Sequence, residues 1–580
     1  MAGKLIIERD VMVPMRDGVK LATDVYRPDD DREHPVLVQL HPYNKNNAFV
    51  MFSLMLSPIL AAERGYVVLL QQSRGRFKSE GTWWPFVHDE TDSYDSVEWA
   101  ACQAWSNGNV GMYGPCGLGL AAMQAAIASP PHLKAVALYM TTPSQHNGWV
   151  YVSGALALAF ASTWIISNGA PDAMSRLNLD PDELQQLRRE IQELADNPEK
   201  AFDHLPLSDI PAFRKVAPYW KEWLSHPSYD EYWKKFDAVA NADRIKVPVL
   251  HMSGWYDHVL CSHLDLNSAL DLRGDKTVRK HHRFIVGPWD HHSYLHGQPS
   301  VAGERNFGSG AATGAPYLSR LCFEWFDHWL MGKETTLSKG DSVRYFVMGE
   351  NAWKGTDSWP PKHTPVPYYL HSTGHANSRF GDGWLSTEEP GNEPPDSYVY
   401  DPNDPVPATG GRGMGLYPNV GVRNQATIEE RQDVLVYSSL PLQSPVSIAG
   451  PVSLTLIAAS SAPDTDFTAK LVDVEPDGYC ANIAEGIIRA RYRNGVDKEV
   501  LLEPGQPTKF VVDLLDVAHV FKTGHRIRLD VSSSNFPVFD RNLNSAVSPQ
   551  QGTAKDIRKA NQQVFHRAEY LSYLALPLVP

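Results

Sequence analysis

The sequence predicts an α/β chain of more than one domain, and three observations carry that prediction. Short apolar runs alternate with helix-length segments between residues 35 and 290. Past residue 333 the composition shifts to Gly- and Pro-rich stretches carrying many short strand patterns. The chain's 580 residues also exceed what one hydrophobic core holds, since cores stop growing near ~250–300 residues. With 43% hydrophobic and 21% charged residues, the composition is that of a globular protein.

The chain opens on an alternating, strand-like pattern over Ile6–Val13. The runs Pro35–Leu40, Tyr66–Leu70, Asn109–Tyr113, Ala135–Tyr139, Val247–Met252 and Arg283–Val286 read as parallel strands, apolar on both faces because helices cover both sides of the sheet. A helical insertion separates the fourth strand from the fifth. Its clearest helix has Asp180 as N-cap, Pro181 at the first helical position, and Leu184, Leu187, Ile191 and Leu194 on one face. Trp149, Trp164, Trp220, Trp223 and Trp233 fall in this region; such aromatics are core by default, and Trp149, Trp164 and Trp220 are the candidates for a substrate-binding wall. Beyond Trp329–Lys333, Gly and Pro are frequent from Gly355 to Pro418. The segments Val446–Leu456, Phe467–Val474, Phe510–Leu515 and Arg526–Ser532 then predict an antiparallel sandwich of jelly-roll type. The expected organisation is an α/β domain over residues 1–144 and 245–335, a helical cap over 145–244, and a β-sandwich over 345–580.

A net charge of -14, from 53 basic and 67 acidic residues, works against binding to nucleic acid or to an anionic membrane surface and makes a small molecule the expected partner. The sequence leaves a homo-oligomer open. Cys102, Cys116, Cys261, Cys322 and Cys480 lack metal-ligand or CxxC spacing, so neither a metal site nor a disulfide framework is expected, and no cofactor is implied. Met1 leads into the strand pattern without an apolar leader, and the longest apolar run, Gly154–Ile166, is too short to span a bilayer. A cytoplasmic protein is the resulting expectation.

Chemistry concentrates at Val110-Gly-Met-Tyr-Gly-Pro-Cys116-Gly-Leu-Gly119, followed by the small-residue stretch Leu120–Ala128. A buried strand that passes through a glycine-flanked turn into a helix exposes the central side chain, Cys116, on a sharp elbow above the sheet's carboxyl edge. The helix start adds amide donors and a positive dipole end, which favour a thiolate and a developing oxyanion. Taken alone, the spacing also fits a buried structural cysteine beside a tight turn.

Segments spread along the whole chain resolve that ambiguity. They include Asp10-Val-Met-Val-Pro-Met-Arg-Asp-Gly18 with Ala22-Thr-Asp-Val-Tyr-Arg-Pro28, Arg74-Gly75 with Ser79-Glu-Gly81, and Glu98-Trp99 leading to Trp105-Ser-Asn-Gly108. Gly254-Trp-Tyr-Asp257, Gly287-Pro-Trp-Asp-His291, Trp325-Phe-Asp-His-Trp-Leu330 and Gly524-His-Arg-Ile-Arg528 continue the series. In these segments the chain resembles the family of cocaine esterase, α-amino-acid ester hydrolases and X-prolyl dipeptidyl aminopeptidases. The resemblance implies an α/β-hydrolase fold with Cys116 at the nucleophile position, Asp257 as the acid and His291 as the base, ahead of its neighbours His292 and His296. It also implies Tyr43, in Leu40-His-Pro-Tyr-Asn-Lys45, as an oxyanion-hole residue alongside the Gly117 amide.

Two positions depart from the family pattern: Cys116 stands where the family has serine, and Gln72 where many members have aspartate. The resemblance implies an acyl hydrolase for a small-molecule ester or amide, working through a covalent acyl intermediate on Cys116. An acyltransferase that passes the acyl group from the thioester to an amine or alcohol is the first alternative. A non-catalytic binding protein, or an engineered Ser-to-Cys variant, is the second.

Overall fold

The computed structural model describes residues 4–46, 55–291, 293, 299–414, 416–417 and 419–580. Ten strands build the first sheet: β1 (Leu5–Pro14), β2 (Lys20–Pro28), β3 (His34–His41), β4 (Val67–Gln72), β5 (Ser106–Pro115), β6 (Leu133–Tyr139), β7 (Val249–Tyr256), β8 (Arg283–Asp290), β9 (Val343–Val347) and β10 (Ala352–Thr356). Their spatial order is β1-β2-β4-β3-β5-β6-β7-β8-β9-β10. From β4 through β9 every neighbouring pair is parallel. Antiparallel β1, β2 and β10 extend the two edges.

Strand alternation divides the apolar side chains between two cores. Val36, Val38 and Leu40 of β3 pack with Ala122 and Ala125 of the helix Cys116–Ala128, whereas Leu37 faces the other way, toward Val68, Leu318 and Phe326. The apolar runs in the sequence reflect this double coverage. They end short of the true strand ends, because β5, β7 and β8 continue into Pro115, Tyr256 and Asp290.

Between β6 and β7 lies the helical layer. Pro181–Asp196 is a helix whose Asp180 side chain accepts from the amides of Asp182 and Glu183, with Leu187 and Ile191 buried. The apolar run near Gly154 forms the buried helix Leu158–Trp164 and its continuation. Among the described residues no helix is long and apolar enough to cross a membrane.

The C-terminal strands form an eleven-stranded, almost wholly antiparallel sheet. Its longest member, Val446–Ser460, pairs with Thr508–Phe521 along its length and meets Ala560–Phe565 and Tyr573–Leu578 on its other edge. One apolar core joins this region to the first sheet: Trp255, Phe284 and Phe346 share it with Leu454, Phe510 and Ile527.

Candidate active site

Parallel strands bring the candidate residues together because each follows the carboxyl end of a neighbouring strand. In the β7/β8 register Gly254 lies opposite Gly287 and Tyr256 opposite Asp290. Asp257 and His291, one residue beyond, therefore emerge side by side. A Cβ on Gly254 would stand 2.1 Å from the Trp289 carbonyl oxygen, so the glycine of one motif makes room for the tryptophan of the other. β3 and β5 are neighbours in the same way, and they deliver Tyr43 and Cys116.

Cys116 begins its helix with φ +49°, a left-handed conformation that costs energy in a residue with a Cβ and that tight packing around the elbow must hold. The Thr141 hydroxyl donates to the Cys116 carbonyl at 2.7 Å. His291 Nδ1 donates to Asp257 Oδ1 at 3.0 Å, and both residues are buried. A carboxylate only accepts, so this bond fixes the Nδ1–H tautomer. Burial, the largest single influence, opposes the imidazolium, but the charges of Asp257 and Cys116 and the hydrogen bonds to them together outweigh it, so the His291 pKa rises to about 10. For Asp257 burial acts in the opposite sense, yet the charge and hydrogen bond of His291 hold its carboxyl below the usual range.

Tyr43 Oη lies 3.7 Å from Cys116 Sγ and accepts a 3.1 Å bond from the indole Nε1 of Trp164. Because the phenol oxygen is already an acceptor, its own proton remains to be given toward the sulfur or an oxyanion formed there. The Gly117 amide sits in the first turn of its helix, where amides have no intrahelical partner. A Cβ on Gly117 would meet Tyr43 Oη at 2.7 Å. The arrangement gathers a thiol, an imidazole, a carboxylate, a phenol and a helix N-terminal amide, groups of the kind that acyl transfer uses.

Of the tryptophans expected to line a substrate wall, Trp220 is 1% exposed, donates to the Leu207 carbonyl at 2.7 Å and packs edge-on against Phe213. Trp149, equally buried, meets Phe160 and Trp164 edge-on. Trp164 acts through Tyr43. His292 and His296, the neighbours weighed against His291, lie outside the described residues. Arg76 is a positioning residue that sequence reasoning missed. Its guanidinium donates to the carbonyls of Pro42 at 2.8 Å and Asn168 at 2.7 Å, tying the Tyr43 loop to the cap. It follows the Arg74-Gly75 pair by one residue, which was the available signal. Gln72 closes the turn that carries Arg76, its side-chain oxygen accepting from the Lys78 amide at 3.1 Å. Among the described residues no cluster of three or more His, Cys, Asp or Glu could hold a metal ion.

Comparison with known proteins points the same way. Residues 17–293 match the model of the X-Pro dipeptidyl-peptidase (S15 family), and residues 338–575 match that of the X-Pro dipeptidyl-peptidase C-terminal non-catalytic domain. Cocaine esterase of Rhodococcus sp. (strain MB1 Bresler) is 36% identical over 583 residues, covering 100% of this chain and 99% of its own. A putative serine esterase of Mycobacterium bovis is 25% identical, over 98% of this chain and 94% of its own. An aminopeptidase structure from a marine sediment archaeon, Thaumarchaeota archaeon, superposes with a TM-score of 0.82 at 25% identity, covering 100% of this chain and 97% of that one. The structure of an α-amino acid ester hydrolase shares the fold with a TM-score of 0.81 at 23% identity, covering 100% and 97%.

Proposed function

The chain belongs to the hydrolase family of the X-Pro dipeptidyl-peptidases and cocaine esterase, and from that premise we propose that it cleaves small-molecule carboxylic esters or amides through an acyl-enzyme on Cys116. One observation carries the reading: Cys116, His291, Asp257 and Tyr43 converge at the ends of adjacent parallel strands, with the His291–Asp257 bond at 3.0 Å and the Tyr43–Cys116 contact at 3.7 Å.

In the proposed cycle His291, an imidazolium beside Asp257, already holds the Cys116 proton on Nε2, and the sulfur attacks the carbonyl carbon as the other half of that ion pair. Asp257 keeps the ring oriented through its bond to Nδ1–H. The carbonyl oxygen becomes an oxyanion between the Tyr43 hydroxyl and the Gly117 amide, and losing one such donor typically costs ~2.7–4 kcal/mol in the barrier. As the intermediate collapses, the alcohol or amine leaves with the proton from His291 and a thioester remains on Cys116. His291 then activates water, which releases the acid and regenerates the thiol.

Sulfur at this position favours a second outcome, because thioesters react readily with amines. Acyl transfer to an amine or alcohol would then accompany hydrolysis. The five unpaired cysteines fit a reducing, cytoplasmic setting.

The test is a panel of aryl esters and amides incubated with the protein and with His291→Ala, followed by mass analysis of the products. Free acid or acyl adduct is expected from the wild-type chain, with turnover lowered about 10^4-fold in the variant. Equal turnover by both proteins would refute the role of His291, and no turnover of any ester or amide would refute the reading.

A further inference from the structure

Separate segments of the C-terminal region meet at the imidazole of His566, which follows the strand Ala560–Phe565 and is 0% exposed. Its Nδ1 lies 3.1 Å from Glu393 Oε2, and its Nε2 lies 2.8 Å from Asp396 Oδ2. Asp396 opens the strand Asp396–Tyr400, which pairs with Ala560–Phe565. Glu393 belongs to the loop 387–395, which leads into that strand from Trp384–Ser386. Ser372, just past the strand Thr364–His371, completes the group. Its hydroxyl donates to Asp396 at 2.8 Å, and its amide donates to Glu393 Oε2 at 3.1 Å.

A neutral imidazole has a single N–H, so it can donate to one of these carboxylates and must turn a lone pair on the other. Only the doubly protonated ring satisfies both. Burial opposes that charge, but the bonds to Asp396 and Glu393 and their charges outweigh it, and the His566 pKa is raised above its ordinary value. Burial likewise works against ionisation of Asp396, yet donation from His566, the Ala376 amide and the Tyr437 hydroxyl holds its carboxyl below the usual range. His371 faces Glu393 from the other side, its Nδ1 lying 2.8 Å from Oε1 and its Nε2 3.0 Å from the Glu388 carbonyl oxygen.

We propose that His566 is a pH-sensitive clasp: as an imidazolium it holds the loop 387–395 against the C-terminal strands, and on losing a proton it releases the loop. Burial decides which contact fails. Asp396 is sealed from water and keeps donors from Ser372, Ala376 and Tyr437, whereas Glu393 is half-buried and can turn its carboxylate to solvent. The proton is therefore lost from Nδ1, whose lone pair then repels Glu393. The stability contributed by the clasp is complete below the unfolded value near ~6.5 and is lost as pH rises through the raised folded pKa. The clasp is independent of the acyl chemistry at Cys116.

Amide hydrogen exchange of the full chain, read by mass spectrometry from about pH 6 to about pH 10 and corrected for the intrinsic rate at each pH, tests this. In the wild-type chain, protection of the 387–395 amides is expected to fall about 10-fold or more across that range while Val446–Ser460 stays protected. In Glu393→Gln the same amides are expected to be weakly protected at every pH, and the half-buried position lets this variant fold. Exchange at the imidazole C2–H gives the titration midpoint of His566, expected above ~6.5. Protection that stays flat, falls equally in Glu393→Gln, or falls together with that of Val446–Ser460 overturns the proposal, as does a His566 midpoint at or below ~6.5.

Discussion

Trp164 donates its indole N–H to the Tyr43 hydroxyl oxygen at 3.1 Å, and this bond directs the phenol proton toward Cys116. If Tyr43 supplies an oxyanion donor, its bond strengthens only as charge develops on the carbonyl oxygen. Tyr43→Phe is therefore expected to lower kcat by about 10²–10³-fold with little change in KM. Trp164→Phe keeps the phenol and loses only its orientation, so a loss of roughly 10-fold or less is expected. Steady-state kinetics on one ester decides the matter: a change mainly in KM would make Tyr43 a ground-state binding group.

Gly117 offers a steric version of the same test. A methyl group there would stand 2.7 Å from Tyr43 Oη and 3.3 Å from Pro42 Cγ. The hydroxyl is the far end of a side chain, so it is expected to move aside and leave the fold intact. Gly117→Ala should lose at least as much kcat as Tyr43→Phe while keeping a wild-type circular dichroism spectrum. Full activity in the alanine variant would separate the Gly117 and Tyr43 pair from the chemistry.

The His291 imidazole, held near pKa 10 beside Asp257, makes a prediction about stability against pH. An unfolded imidazole titrates near ~6.5. The stabilisation from the raised pKa is therefore complete below about pH 6.5 and is lost as pH rises toward about 10. Wild-type Tm should decline over that window, and Asp257→Asn should flatten the decline. Parallel profiles for the two proteins would contradict the ion pair.

Much of this architecture was legible in the sequence because its signals are local. The apolar runs located the parallel strands, since a strand covered on both faces must be apolar on both. Pro181 after Asp180 marked a helix start by capping chemistry alone. The strand ends were not legible, because β5, β7 and β8 run on into glycine-bearing motifs that resemble loops. Nor was the part played by Trp164. An indole in a helix reads as core, and its bond to Tyr43 joins residues 121 positions apart that only the fold brings together. Arg76 escaped for the same reason, its acceptors being main-chain carbonyls that carry no residue signature.

The C-terminal strands are expected to be indispensable to the first sheet. Trp255, Phe284 and Phe346 share one apolar core with Phe510, Val512 and Ile527. The Tyr256 hydroxyl donates across the junction to the Asn482 carbonyl at 3.1 Å. A chain ending near residue 360, past β10, would keep the first sheet whole and expose that core to water, where apolar area costs about 25 cal/mol per Å². Expression of the truncated chain should give insoluble protein, and a soluble, fully active fragment would refute the shared core.

The central claim concerns one sulfur atom. The direct measurement is to mix the protein with a slowly deacylating activated ester, quench in acid, digest, and locate the acyl group by mass spectrometry. A single acyl mass on the peptide that contains Cys116 is predicted. It should be released by neutral hydroxylamine as expected of a thioester, and it should be absent from Cys116→Ala, which should be folded and inactive. Acylation at a different residue, or turnover by Cys116→Ala at the wild-type rate, would contradict the account.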